Sequence, residues 1–375
     1  MLSYHTAGDS HGPALLGILE GFPAHVPVRE EEVNAMLARR QGGYGRSRRQ
    51  SIERDRAEFV AGVWKGETTG APVGILLRNR AAKNQKDVRA RTVPRPGHAD
   101  LAGAWKYGWE ADFNPVIERS SARETAMRVA IGALCRQLLA ELGIEVLGYV
   151  RQIGGVRAEV PELPLAGLRQ RVEQSDFYCP DSQCEADMRA AVDRAREAGD
   201  SLGGIVEVVA EGVPPGFGGL SHPEHRLDAQ IAQQLMSIPS AKAVEIGEGI
   251  AGAGLPGSRV HDAIRLREGK IVRATNRAGG MEGGISNGER IVVRVYHKPI
   301  PTLVRGMDSV DLATLEETRA PYIRSDVAVV PAASVVAEAV LSFALARAVL
   351  LKFGHDHLGD IREALKAYKS RLRGF

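Results

Sequence analysis

Apolar positions along the chain alternate between a period near two and a period near 3.6, which predicts short strands interleaved with helices of moderate length. Residues 15–22 (Leu-Leu-Gly-Ile-Leu-Glu-Gly-Phe) form an apolar run broken by Pro23 and Pro27, and predict a strand. Residues 30–40 place Val33, Met36 and Leu37 on one helical face, and 71–78 predict a buried strand. From 121 to about 142, Ala126, Val129, Ala130, Leu134, Leu138 and Leu142 recur at helical spacing. Ser121 with Glu124 three residues later has the pattern of a capping box at the start of that helix. Further strands are predicted at 144–150, 204–211, 244–247 and 290–296, and helices at 165–174, 185–198 and 227–236. After Pro331, the residues Val335, Val336, Ala339, Val340 and Phe343 cover much of the surface of a long helix. Residues 360–373 finish the chain as an amphipathic, basic helix expected to face solvent.

No fixed-period repeat and no low-complexity linker divides these elements. The expected architecture is therefore α+β, one large domain over 1–375 with the amphipathic helix inside 355–375. The apolar segment 332–353 carries Glu338, Arg347 and Lys352, which fits a buried helix better than a membrane span. His5, Asp9 and His11 interrupt any apolar run at the N-terminus, so no signal peptide is read there.

Composition changes the picture in three ways. Glycine supplies 42 of 375 residues, more than ordinary usage, so many loops can bring backbone close to a ligand. Lys+Arg 49 against Asp+Glu 46 is too balanced for a general nucleic-acid binder, which leaves any basic function local. Cys135, Cys179 and Cys184 are odd in number and lack the spacing of a metal site, so neither a structural disulfide nor a metal is expected, and a reducing, cytoplasmic setting is.

Polar, glycine-rich clusters carry the candidate chemistry. Gly8-Asp9-Ser10-His11-Gly12 sets a histidine, the side chain best suited to proton exchange near neutral pH, in a pliable turn. The same residues also suit an ordinary surface turn. Seven arginines fall within residues 39–56 (Arg39, Arg40, Arg46, Arg48, Arg49, Arg54 and Arg56). Their planar forks suit phosphate or carboxylate, although a solvated loop or an RNA-binding patch would have the same composition. Arg95-Pro96-Gly97-His98-Ala99-Asp100 is a second histidine turn beside a carboxylate, and Arg119 and Arg123 flank a helix start suited to an anion. Residues 279–288 hold five glycines, without the pattern of a dinucleotide fold or a P-loop, and are open to a hairpin or a ligand-facing loop. Lys298-Pro299-Ile300-Pro301-Thr302 then places a cation in a segment stiffened by proline.

Taken in order, the histidine turns, Arg119-Ser120-Ser121-Ala122-Arg123-Glu124-Thr125, Gly283-Gly284-Ile285-Ser286-Asn287-Gly288 and Lys298–Thr302 resemble the chorismate synthase family from about residue 3 to residue 350. The resemblance implies a β-α-β sandwich with helices between antiparallel sheets, assembled as a homotetramer. It implies a lyase that eliminates phosphate from 5-enolpyruvylshikimate 3-phosphate to give chorismate, needing reduced FMN but no net redox change. By resemblance His11 is the acid toward the leaving phosphate, His98 the acid toward the reduced flavin, and Asp326 takes up the ring proton with the flavin. Ser325 stands where the family often has histidine. Ser10, Arg40, Arg46, Arg49 and Arg123 would bind substrate, and Arg40 and Arg46 also mark the family's NADP contact. Arg119, Ser120, Ser121, Ser240, Ala241, Gly283, Lys298, Pro299, Ile300, Pro301, Thr302 and Arg324 would contact FMN, with 240–241 the loosest match. No membrane or nucleic-acid partner is implied. The monofunctional type is expected, with a separate flavin reductase and NADPH as reductant. An NAD(P)H-dependent flavin oxidoreductase and an RNA-binding protein are the competing classes.

Overall fold

In the computed structural model, which describes residues 1–46, 54–80, 82, 84, 88–322 and 326–372, the strand-forming runs pair into two large antiparallel sheets and, among the described residues, four two-stranded hairpins. One is four-stranded, in the order Ser3–Ala7, Ala14–Glu20, Val73–Arg78, Ala57–Ala61. Leu15, Gly17 and Leu19 are buried while Leu16, Ile18 and Glu20 are exposed, so the period-two pattern turns one face inward. The other sheet is five-stranded, in the order Ala241–Ile246, Ile291–His297, Gly204–Glu211, Glu145–Ile153, Val156–Arg157.

The helices are α1 (Glu30–Gln41), α2 (Asp100–Tyr107), α3 (Asn114–Ser120), α4 (Thr125–Ala140), α5 (Leu165–Gln174), α6 (Glu185–Glu197), α7 (Leu227–Met236), α8 (Gly249–Gly252), α9 (Val330–Phe353) and α10 (Leu358–Arg371). Helices α4 and α9 fill the space between the sheets, and glycine sets how closely the layers approach. A Cβ on Gly17 would lie 2.4 Å from Met127 Sδ of α4, one on Gly132 of α4 2.3 Å from the Ala339 carbonyl of α9, and one on Gly148 2.2 Å from the Ser334 carbonyl. The result is sheet, helix, helix, sheet, which is the expected α+β sandwich. Helix α9 is long and apolar enough to cross a membrane, yet it is buried inside this stack. Its one buried charge, Glu338, meets Arg39, Arg136 and the Gly148 N–H. Burial opposes that charge, but the two arginines hold the carboxyl below its ordinary range.

Three local expectations change. The helix read from 121 onward opens as a 3₁₀ turn at Ala122–Glu124 and becomes α4 at Thr125, and a separate short helix, α3, ends just before it at Ser120, with Ser121 extended (ψ 140°). Ser121 Oγ does cap, but it accepts from the Arg123 N–H of that turn at 3.3 Å. Second, Gly283 and Gly284 (φ +60° and +82°) form the two-residue turn of a hairpin joining Met281–Glu282 to Ile285–Ser286. Third, α10 does not simply face solvent: Leu358, Ile361 and Leu365 are buried.

Candidate active site

At one end of the stack, the starts of α4 and α9, the end of α1 and the end of strand Ile291–His297 converge. The partial positive charge of two helix N-termini favours anions there. The His11 turn joins the first two strands. Gly8 (φ +115°) sits where a Cβ would be 2.5 Å from the Ala14 carbonyl, which is why this turn needs glycine. Glu118 of α3 holds His11 twice, accepting from its backbone N–H at 2.7 Å and pairing with Nδ1 at 2.8 Å. The Ser10 N–H donates to the Glu118 carbonyl. Asn79 closes the turn from the other side, donating Nδ2 to the Gly12 carbonyl at 2.7 Å and to that of Asp9 at 3.3 Å.

Asn79 Oδ1 in turn accepts from Arg123 Nε at 2.9 Å, and Arg123 forks onto Asp55 at 2.5 and 2.8 Å. Arg40, at the end of α1, is buried, and donates to the neutral acceptors Thr125 Oγ1 (3.0 Å) and the Ala122 carbonyl (2.7 Å). Burial, then the neighbouring cation Arg46, push its pKa down to about 9. Arg46 pairs with Asp326 at 2.8 Å, and its buried Nε has no hydrogen-bond partner among the described residues. The Gly45 carbonyl accepts from the Val327 N–H, which fixes the arginine loop beside the segment entering α9. Arg49, Arg324 and Ser325 lie outside the described residues.

His98 belongs to a second carboxylate-backed pair. Its Nδ1 lies 2.5 Å from Oδ1 of Asp100, the fully buried first residue of α2. Arg95 grips the same carboxylate through its backbone N–H (3.0 Å), Nε (2.7 Å) and Nη2 (3.0 Å), and reaches Thr302 Oγ1 at 3.3 Å. Burial works against the Asp100 charge, yet the His98 and Arg95 hydrogen bonds hold its carboxyl well below the usual range. Arg91 lies between the two histidine pairs. Burial, then Arg95, lower its pKa, while Asp100 and Glu118 draw it the other way.

The FMN-directed segments largely gather at the same end. Lys298 Nζ donates to the Gly97 carbonyl beside His98, the Ser201 hydroxyl holds the Ile300 carbonyl, and Pro301 packs under Gly97. Pro299 follows Lys298 on this path. Burial, then nearby Lys242, lower the Lys298 pKa. The Lys298 N–H donates to the carbonyl of Ser240, and Ala241 pairs with His297 across the sheet. Ser240 (φ +72°) is further tied through Oγ to His297 Nδ1 at 3.0 Å. Arg119 donates to the Thr6 carbonyl and hydroxyl below the His11 turn, while Ser120 Oγ bonds the Val116 carbonyl of its own helix. Gly283 is the exception. Its hairpin abuts the start of the seven-residue strand Ile291–His297, whereas Lys298–Thr302 leave the other end, about 20 Å away at the usual strand rise. Within one chain the structure does not bring Gly283 to the two histidines.

Sequence reading missed Glu118, Asn79, Asp55 and Arg91. Of these, Glu118 offered a signal as a carboxylate beside a quoted motif, and Asp55 as the carboxylate between Arg54 and Arg56 of the arginine run. Among the described residues, no group of three His, Cys, Asp or Glu side chains is placed to hold a metal ion.

Comparison with known proteins places the whole chain in one family. The family model described as chorismate synthase matches residues 2–350. The chorismate synthases of Desulforudis audaxviator and Moorella thermoacetica are 51% and 50% identical to this chain, each over all of it and over 98% and 100% of their own lengths. A solved structure titled "Crystal Structure of Chorismate Synthase" superposes with a TM-score of 0.83 at 39% identity, covering 100% of this chain and 99% of its own. A flavin oxidoreductase finds no support among these relatives. The chain belongs to the chorismate synthase family.

Proposed function

We propose that the protein converts 5-enolpyruvylshikimate 3-phosphate to chorismate and phosphate by 1,4-elimination, as a lyase of aromatic amino acid biosynthesis acting in the cytoplasm. One observation carries the reading: two imidazoles, each backed by a carboxylate, border a buried arginine cluster with cationic capacity to spare. His11 with Glu118 and His98 with Asp100 are the imidazoles; Arg40, Arg46 and Arg123 are the cluster. The chemistry needs both parts. Phosphate leaves with a pair of electrons and must gain a proton or a cation, and the substrate's carboxylates need partners of their own.

Reduced FMN fits the donor set. Lys298, Ser240 and Thr302 line the turn that would take it, while Arg40, whose bonds among the described residues go to neutral acceptors, and Arg46, whose buried Nε has no hydrogen-bond partner among those residues, favour the anionic groups of the substrate beside it. Arg119, Ser120, Ser121, Ala241, Pro299, Ile300, Pro301 and Arg324 belong to the segments that would hold the cofactor, with NADPH as its reductant and Arg40 and Arg46 as the NADP contact. When bound, the reduced flavin supplies electron density that the substrate borrows and returns, so no net redox change results.

The chain's own residues do the rest. Glu118 holds Nδ1 of His11, which leaves Nε2 as the atom that passes a proton to the departing phosphate oxygen. Arg46 fixes the carboxylate of Asp326, the acceptor of the ring proton, and the paired Arg123 keeps the His11 turn in place through Asn79. Ser10, next to His11 in the same turn, would bind substrate. The reading extends to a homotetramer served by a separate flavin reductase, with Gly283 reaching a cofactor only across a subunit boundary.

The test is an anaerobic assay of the purified protein with 5-enolpyruvylshikimate 3-phosphate and chemically reduced FMN. Catalytic flavin with stoichiometric chorismate is expected. Flavin consumed one for one with product would overturn the reading in favour of net redox chemistry.

A further inference from the structure

We infer that Asp100 and Arg95 are positioning residues for His98, forming a buried carboxylate–imidazole pair that fixes which ring nitrogen exchanges its proton. This rests on the proposed role of His98 as a proton donor and adds the device that makes it one.

The geometry leaves Asp100 little freedom. It is 0% exposed at the first turn of α2, and Oδ2 accepts from both the backbone N–H and Nε of Arg95, at 3.0 and 2.7 Å. Arg95 Nη2 adds a third bond, to Oδ1 at 3.0 Å, and lies 3.1 Å from His98 Nδ1 and 3.3 Å from Nε2, so the guanidinium faces both ring nitrogens and can donate to Nε2 only after that atom has given up its proton. The carboxylate cannot rotate without breaking these bonds, so Oδ1 stays turned toward His98 Nδ1 at 2.5 Å. An ionised carboxylate only accepts hydrogen bonds, so Nδ1 must carry a hydrogen, and the second ring nitrogen becomes the one that gives and regains a proton. A carboxylate that orients an imidazole through Nδ1–H while Nε2 does the chemistry is a general solution to this problem. Here the proton leaves Nε2 with its bonding pair staying on the ring, and Nδ1–H remains throughout.

Arg95 extends the device. Its Nη1 reaches Thr302 Oγ1 at 3.3 Å, and Lys298 of the same segment holds the Gly97 carbonyl next to His98. The segment expected to carry the cofactor and the imidazole that serves it are thus braced by one guanidinium. Neighbouring spacing alone, His98-Ala99-Asp100, does not ensure this contact. It arises because Gly97 (φ +78°) turns the chain and α2 begins at Asp100.

The experiment is ¹⁵N NMR of histidine-labelled protein, with the His98 signals assigned by their loss in His98→Ala, combined with steady-state kinetics. In the wild type, His98 Nδ1 is expected to stay protonated at every pH, the neutral ring losing its proton from Nε2. A neutral wild-type ring protonated on Nε2 would overturn the proposal without any variant. In Asp100→Asn, the side-chain amide can donate to Nδ1, so the neutral tautomer should switch, and kcat should fall at least tenfold with substrate KM within about twofold. Asp100→Glu, which keeps a carboxylate, should retain the wild-type tautomer and recover part of the turnover. A switched tautomer with full kcat, or unchanged tautomer in Asp100→Asn, refutes the assignment to Asp100. His98→Ala turning over at the wild-type rate refutes the proton-donor reading instead, so the two failures are distinguishable.

Discussion

Arg46 touches both halves of the proposed chemistry, because its Nη1 holds Asp326 at 2.8 Å and its buried Nε has no hydrogen-bond partner among the described residues. Arg46→Ala should therefore weaken substrate binding and slow the chemical step together. Losing one charge-assisted bond costs about 1.5–3 kcal/mol, so kcat/KM should fall roughly ten- to hundredfold. Steady-state kinetics with a parallel FMN titration checks this, and FMN affinity is expected to change little; a collapse of FMN binding would reassign the residue to the cofactor. His11→Ala should fold normally and lose most turnover, since a positioned acid is worth about 10²- to 10⁴-fold; thermal melting with the kinetic assay checks both parts. At this scale the sequence was legible where contacts sit within a short motif, as among Arg95, His98 and Asp100. It was silent where partners come from far along the chain. Asn79 reaches Gly12 across 67 residues and Arg123 reaches Asp55 across 68; Asn79 merely follows a strand, and nothing in the arginine run around Asp55 points to residue 123.

Packing decides how the elements respond to change, and two helical glycines show opposite signs for one substitution. A Cβ on Gly132 of α4 would lie 2.3 Å from the Ala339 carbonyl and 2.5 Å from its Cβ, and both helices are locked between sheets. Gly132→Ala should cost about 1–3 kcal/mol through overpacking. On α5, a Cβ at Gly167 would find its nearest neighbour, Leu163 Cβ, at 3.5 Å, an ordinary contact. Gly167→Ala should instead stabilise by about 0.5–1 kcal/mol through helix propensity. Urea denaturation of both variants reads the contrast; equal signs would mean that the α4–α9 approach is looser than drawn. Most helices and strands were legible from periodicity, because amphipathic or apolar runs of ten residues carry the signal repeatedly. Helices α2 and α3, eight and seven residues long, were not. Their apolar side chains (Ala104, Phe113, Val116) build a small separate cluster, too few to set a period. The 3₁₀ turn that opens α4 was hidden because Ser121 caps in either arrangement.

For the whole molecule, the charges that are buried to build the site end also set its response to acid. His297, at the end of its strand, is pushed down to about 4 from an ordinary 6.5 by burial alone. The unfolded chain therefore takes up a proton as pH falls through 6.5, while the native state refuses it until about 4. Stability that is full above pH 6.5 is lost across that window, up to about 3 kcal/mol. Glu338 and Asp100 work lower down. Their native carboxyls lie below the ordinary range, so their contribution holds above the unfolded values and fades only as pH falls through the native ones. Acid should thus weaken the fold in two stages, the first belonging to an imidazole beside Ser240 and the second to carboxylates paired with arginine. The first stage is separable. His297→Gln keeps a polar partner for Ser240 but cannot titrate, so its unfolding free energy, measured by urea titration at pH 7.5, 6 and 4.5, should stay nearly flat. The wild type should lose stability steadily over the same three points. If both proteins fall in parallel, His297 is not the group that titrates, and the early loss must arise elsewhere in the fold.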